Sequence, residues 1–173
     1  HTDFKSTEMR DARIEYSQLQ YTNFSESNLK LSEHWTVEYR ECVFNKSVLS
    51  LSEFRYCHLH DCILTDAESN SVRYHHTVLD SLDCTNTNFT RSNFRNSVIG
   101  SMNTLSSTLD DVDIEYANFT SKNIITCFKH SQSDLKSTFG MILKEPMIGY
   151  KKRFEEVIIT VEIPIGAVVF SIN

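Results

Sequence analysis

Thr87-Asn88-Phe89-Thr90-Arg91 is followed at once by Ser92-Asn93-Phe94-Arg95-Asn96. Each five begins with a small residue, continues with Asn, places Phe third and ends on two polar residues. The same phase extends outward in both directions. Steps of five from Phe4 to Ile124 visit 25 positions, and 21 of them are Phe, Tyr, Leu, Ile or Met. His34, Ser69, Cys84 and Thr104 are the exceptions. Two residues before each centre the side chain is small, except at Leu82, Met102 and Lys122. A five-residue period belongs to neither an α-helix nor a plain alternating strand. A fixed period held without a slip is the signature of a repeat architecture.

Thr22-Asn23-Phe24, Ser27-Asn28-Leu29, Thr87-Asn88-Phe89, Ser92-Asn93-Phe94 and Ala117-Asn118-Phe119 are the cleanest copies. They resemble the motif of the pentapeptide-repeat family: small, Asp or Asn, Leu or Phe, then two free positions. The resemblance spans about residues 1–127. It implies an all-β fold, a right-handed quadrilateral parallel β-helix with one pentapeptide per side and twenty residues per coil. About six coils are expected, with the central and small residues inward and the other three outward.

The exceptions test the twenty-residue coil from within the sequence. Cys84 and Thr104 are undersized centres twenty apart, and Leu82 and Met102 are oversized small positions, also twenty apart. Each oversized residue shares its repeat with an undersized one. Volume is thereby conserved on one side over two successive coils, as a close-packed interior requires. Stacking at the strand spacing of about 4.8 Å should bury Phe24 between Phe4 and Phe44, and Phe94 between Tyr74 and Ile114. Both ends of such a stack need a cap.

The phase is lost after about Cys127, which divides the chain into a solenoid, 1–127, and a C-terminal capping or interaction segment, 128–173. Val157-Ile158-Ile159-Thr160-Val161-Glu162-Ile163 and a second run from Ala167 to Ile172, separated by Pro164-Ile165-Gly166, read as two strands. No apolar run approaches the roughly 18 residues of a membrane span, and no signal peptide opens the chain. Five cysteines without a Cys-x-x-Cys pair fit free thiols in a reducing cytoplasm.

Only 4 Gly and 2 Pro are present, few for an enzyme built on turns and phosphate loops. No nucleophile elbow, phosphate loop or His-Glu-x-x-His motif occurs. The expectation is a protein without catalytic residues, cofactor or metal. His58, His60, His75 and His76 read as solvent-facing residues of a regular coil, and His34 as a hydrogen-bonded core residue. Asn88 and Asn118 open Asn-x-Thr triplets that the repeat itself generates.

Tyr16, Trp35, Arg55, Tyr56, His75, His76, Arg95 and Tyr116 fall outward on one side of the square coil. Tyr, Trp and Arg dominate binding hot spots, so these residues form the candidate surface for a protein partner. The chain carries 17 basic and 23 acidic residues. Residues 1–127 hold 11 and 18 of these, so the acidity belongs to the solenoid. An acidic rod repels nucleic acid and membranes and attracts basic protein surfaces.

Quinolone-resistance members of the resembled family act as DNA mimics on gyrase. The resemblance therefore implies an alternative, a topoisomerase-directed DNA mimic with Asp80, Asp83, Asp110, Asp111 and Asp113 as its acidic patch. Six coils span about 29 Å, a length over which duplex DNA carries about 17 charges. The solenoid's net −7 falls well short. The first expectation is a non-enzymatic interaction scaffold, with a homodimer through the C-terminal segment or the coil end as a further expectation.

Overall fold

The computed structural model describes residues 2–114, 116–120, 157–163 and 166–172. Up to Thr120 these form an all-β solenoid of about five turns. The expected remainder, residues 121–127, lies outside the described residues. Every pairing in the solenoid is parallel and offset by twenty residues, which makes each coil a stacked copy of the one before.

The third side carries β1 (Arg13–Glu15), β3 (Glu33–Trp35), β5 (Glu53–Arg55) and β7 (Arg73–His75) in that order. Arg13 pairs with Glu33, Glu33 with Glu53, and Glu53 with Arg73. The fourth side carries β2 (Gln18–Gln20), β4 (Glu38–Arg40), β6 (His58–His60), β8 (Val78–Asp80), β10 (Val98–Ile99) and β12 (Asn118–Phe119). The first side is a column of single bridges, Asp3↔Asn23 through Ile63↔Asp83, that continues as β9 (Leu82–Asp83) and β11 (Met102–Asn103). Bridges from Glu8↔Asn28 to Asn88↔Thr108 make the second side.

The corners explain how a chain with so little glycine turns four times per coil. Every fifth residue from Ser6 to Tyr116, except Ser101, has φ between 48° and 64°. None of these 22 residues is glycine. A side chain there costs roughly 1–2 kcal/mol. At sixteen of them the coil above offsets the strain, because the corner N–H finds a carbonyl nineteen residues on: Tyr16 N donates to Trp35 O at 2.9 Å, and Tyr56 N to His75 O at 3.1 Å.

The inward positions form ladders. Phe4, Phe24 and Phe44 stack at 5.3 and 4.8 Å between centroids. His34, Phe54, Tyr74 and Phe94 stack at 4.2, 5.2 and 4.8 Å. Phe24, Phe44, Phe54 and Phe89 are among the largest fully buried side chains. Each such burial contributes on the order of 1.5–3 kcal/mol. The small inward column is polar for a reason. Ser27, Ser32 and Ser47 donate to the carbonyls of Phe24, Leu29 and Phe44 at 2.6–2.7 Å. Thr87 and Ser107 do the same to the coil below, reaching Leu64 O and Cys84 O at 2.6 Å. A hydroxyl there fills little volume, and at these five positions its buried donor is satisfied, whereas Ser52 Oγ in the same column has no partner.

The volume exchange read from sequence is present. Leu82, Cys84, Met102 and Thr104 are all buried, and Met102 pairs with Leu82. Cys42, Cys57, Cys62 and Cys84 are buried free thiols. Burial raises the Cys57 thiol to about 11.

His34 is fully buried. Its Nδ1 lies 2.5 Å from Tyr39 Oη and its Nε2 2.7 Å from Ser32 Oγ. Ser32 Oγ–H is already committed to Leu29 O, so Ser32 must accept from Nε2–H, and Nδ1 must accept from Tyr39 O–H. One directed chain therefore runs Tyr39, His34, Ser32, Leu29 carbonyl. Burial lowers His34 from 6.5 to about 3.

The two apolar runs of the C-terminal segment form an antiparallel hairpin, β13 (Val157–Ile163) and β14 (Gly166–Ile172), registered from Val157↔Ile172 to Ile163↔Gly166. Residues 121–156, which hold the first part of the expected capping or interaction segment 128–173, lie outside the described residues.

Candidate interaction surface

The outward positions of the third side fall into columns because the coil repeats at twenty. One column reads Glu15, Trp35, Arg55, His75 and Arg95. The adjoining corner reads Tyr16, Thr36, Tyr56, His76, Asn96 and Tyr116. All eight residues singled out from the sequence stand in these two columns. The coil spacing lets them meet in pairs. The Arg55 guanidinium lies 5.1 Å from the Trp35 ring centroid. Tyr56 and His76 stack at 5.1 Å with ring planes 10° apart. Arg95 lies 5.8 Å from the Tyr116 centroid. Tyr16, Tyr56 and Tyr116 are 77%, 59% and 57% exposed, so the corner offers ring faces to solvent.

The strand column is more ordered than its exposed position would require. Glu53 Oε1 accepts from Arg55 Nε, and Glu53 Oε2 lies 3.8 Å from Arg73 Nη1. One carboxylate holds two guanidiniums and fixes Arg55 over the indole. Glu53 was not singled out in the sequence, although its stacking beside Arg73 was available from the twenty-residue offset. Burial lowers His75 below its ordinary value, with Glu53 acting in the opposite direction.

On the neighbouring side, Tyr16, Ser17, Gln18, Thr36, Val37, Glu38, Tyr56 and His58 line an open trough of about 360 Å³. His60 contacts Asp61 through Nε2 at 3.0 Å and Asp80 through Nδ1 at 3.4 Å. Among the described residues no group of three or more His, Cys, Asp or Glu is placed to hold a metal ion.

The five aspartates do not form one patch. Asp80 and Asp83 flank the corner between the fourth and first sides, and Asp110, Asp111 and Asp113 flank the diagonally opposite corner. Each pair or trio is also occupied locally. Asp80 Oδ1 accepts from Ser101 N at 3.1 Å and folds over Gly100, where an added Cβ would lie 2.2 Å from that oxygen. Asp83 Oδ1 accepts from Thr85 N, Thr85 Oγ1 and Asn103 Nδ2. Asp111 and Asp113 each lie 3.9 Å from an arginine Nε, of Arg91 and Arg95.

No family model matches the chain, and no curated protein matches it. Solved structures do. One is a pentapeptide repeat protein from the Arabidopsis thaliana thylakoid lumen, 16% identical over 64% of this chain and 70% of that one, with a TM-score of 0.47. Another is HetL, a pentapeptide repeat protein involved in heterocyst differentiation regulation from the cyanobacterium Nostoc sp. strain PCC 7120, 13% identical over 69% and 71%, with a TM-score of 0.41. QnrB1, a plasmid-mediated fluoroquinolone resistance protein, is 16% identical over 69% and 71%, also with a TM-score of 0.41. The chain's own five-residue motif and register of twenty carry the pentapeptide-repeat fold. Its hallmarks in this chain are the parallel register of twenty and the inward small-and-large columns. The outward columns of a pentapeptide-repeat solenoid are unconstrained by the stack, and there the Trp35, Arg55 and tyrosine contacts stand.

Proposed function

We propose that this pentapeptide-repeat rod is a non-enzymatic scaffold that binds a protein partner through the Trp35–Arg55–Arg95 column and its tyrosine corner. The observation that carries this reading is the set of three aromatic contacts, Arg55 on Trp35, Tyr56 on His76 and Arg95 on Tyr116, on one continuous exposed surface. Rigid aromatic and arginine side chains ordered before binding lose little entropy when a partner docks. The test is affinity capture with wild-type protein beside a Tyr56→Ala/Arg95→Ala double variant. A partner retained by the wild type and lost by the variant supports the reading, and capture unchanged by the variant sinks it. Buried free thiols favour a reducing, cytoplasmic setting for this activity.

The DNA-mimic reading rests on the resemblance to quinolone-resistance members of the family and on the acidity of the rod. The local pairing of Asp80, Asp83, Asp111 and Asp113 and their division between opposite corners favour the scaffold. A gyrase supercoiling assay titrated with the protein separates the two readings: dose-dependent inhibition would promote mimicry over the scaffold.

A further inference from the structure

The corner ladder has a missing rung. Tyr56 and His76, one coil apart, stack at 5.1 Å. Tyr16 and Tyr56 stand two coils apart, about 10 Å at the strand spacing, with Thr36 between them. All three line the same trough. A slot two coils high, with a small side chain where a ring could stand, accommodates one planar group at the spacing the ladder already uses.

Charge selects the kind of planar group. Tyrosine ring faces attract cations, and the chain holds 23 acidic against 17 basic residues. Glu38 lines the same trough. Arg40 engages it through Oε1 alone, with Nε at 2.7 Å and Nη2 at 2.5 Å. Its counterpart on the next side, Glu53, shows what such a carboxylate does on this rod: Oε1 holds Arg55 while Oε2 faces Arg73. The rod also sets its own guanidiniums against rings, Arg55 on Trp35 and Arg95 on Tyr116. The trough therefore offers, without an occupant from this chain, the two groups that hold Arg55, an aromatic neighbour along the stack and a glutamate carboxylate, here with Arg40 on Oε1 and Oε2 left for a cation in the slot.

We propose that the slot over Thr36, between Tyr16 and Tyr56 and beside Glu38, is a binding site for an arginine side chain of the protein partner. The proposal rests on the scaffold reading and names the chemistry it recognises. The guanidinium would lie between the two tyrosines and donate to Glu38 Oε2. Val37 forms the floor, and His58 lines the same trough.

The test is selection of a phage-displayed library of random dodecapeptides on the wild-type protein. Selected peptides are then measured on Thr36→Tyr, which fills the slot, and on Glu38→Gln, which removes its charge. Thr36 has φ 53°, a conformation that tyrosine already adopts at 16 and 56, so Thr36→Tyr is compatible with the fold. A melting curve for each variant confirms it. The expected result is enrichment of arginine at one peptide position, with affinity reduced roughly tenfold by Thr36→Tyr and severalfold by Glu38→Gln. Peptides that bind Thr36→Tyr as well as wild type overturn the slot but leave the scaffold standing. Peptides anchored by an aromatic residue and indifferent to Glu38→Gln overturn the arginine assignment. A selection that yields no peptide overturns both.

Discussion

The inner column of the third side reads Ile14, His34, Phe54, Tyr74 and Phe94, and the outer column beside it reads Glu15, Trp35, Arg55, His75 and Arg95. The two are one residue apart along the same strands and share one backbone register. The inner residues from His34 onward are at most 3% exposed and are held ring on ring by the coils above and below. The outer residues share the same backbone pairing, but their side chains meet in partly solvated contacts such as Arg55 on Trp35 instead of a buried ring stack. The inner column is dictated by volume, whereas the outer column is free of that constraint.

The largest effect expected is at Phe54. It lies between His34 and Tyr74 at 4.2 and 5.2 Å and is 1% exposed. Neighbouring coils cannot close independently because each is hydrogen-bonded to the next. Phe54→Ala should lose about 3–5 kcal/mol of unfolding free energy, read by chemical denaturation. A loss below about 1 kcal/mol would show that the inner column is not what holds the rod.

A finer test uses the exchanged volumes at 82 and 84. Cys84→Leu alone overfills a buried position and should cost about 1–3 kcal/mol. Leu82→Cys alone leaves a cavity and should cost a similar amount. The two together restore the ordinary small-then-large order. The double variant should therefore be more stable than the sum of the singles by more than the few tenths of a kcal/mol allowed for independent sites. Strict additivity in denaturation would contradict the shared interior volume.

That exchange was legible in the sequence because a five-residue phase and a twenty-residue coil are arithmetic. The same arithmetic placed Phe24 between Phe4 and Phe44. Other features depend on directions that arithmetic does not supply. Leu31, Leu51 and Tyr56 sit at positive φ, a conformation usually assigned to glycine or asparagine. Only the N–H bonds to the next coil explain why those residues are tolerated. The tie from Glu53 to two arginines needs side-chain rotamers. The two aspartate groups are different: thirty residues apart, they fall one and a half coils from each other, so the twenty-residue coil by itself sends them to opposite corners.

His34 sharpens the comparison, since it is the one ionisable imidazole in the inner column. In the unfolded chain it titrates near the ordinary 6.5, and in the fold at about 3 because burial disfavours the charged ring. Protons therefore bind the unfolded state first. His34's contribution is fully present above pH 6.5 and declines as pH falls toward 3, at about 1.4 kcal/mol per pH unit. Between pH 7 and pH 5 this group alone should remove about 2 kcal/mol. His34→Phe continues the aromatic ladder, and its stability should be flatter over that range. An unchanged pH slope in the variant would assign the acid sensitivity to other groups.

The smallest effect on stability is expected at Arg55, one residue from Phe54. Its contacts are a part-buried ion pair with Glu53 and a cation–π contact with Trp35 at 5.1 Å. Arg73 Nη1, 3.8 Å from Glu53 Oε2, still faces the carboxylate when Arg55 is removed, and ion pairs and ring contacts near the surface are each worth about 1 kcal/mol. Arg55→Ala should therefore leave the denaturation midpoint nearly unchanged, while weakening any partner that docks on the third side. Removing Arg55 uncovers the indole, so the partner loses both a cation and an ordered ring, and the loss should appear mainly as faster dissociation. If Arg55→Ala instead destabilised the rod as Phe54→Ala does, the outer column would be structural. The separation between a column that folds and a column that binds would then fail at the strand where the two are closest.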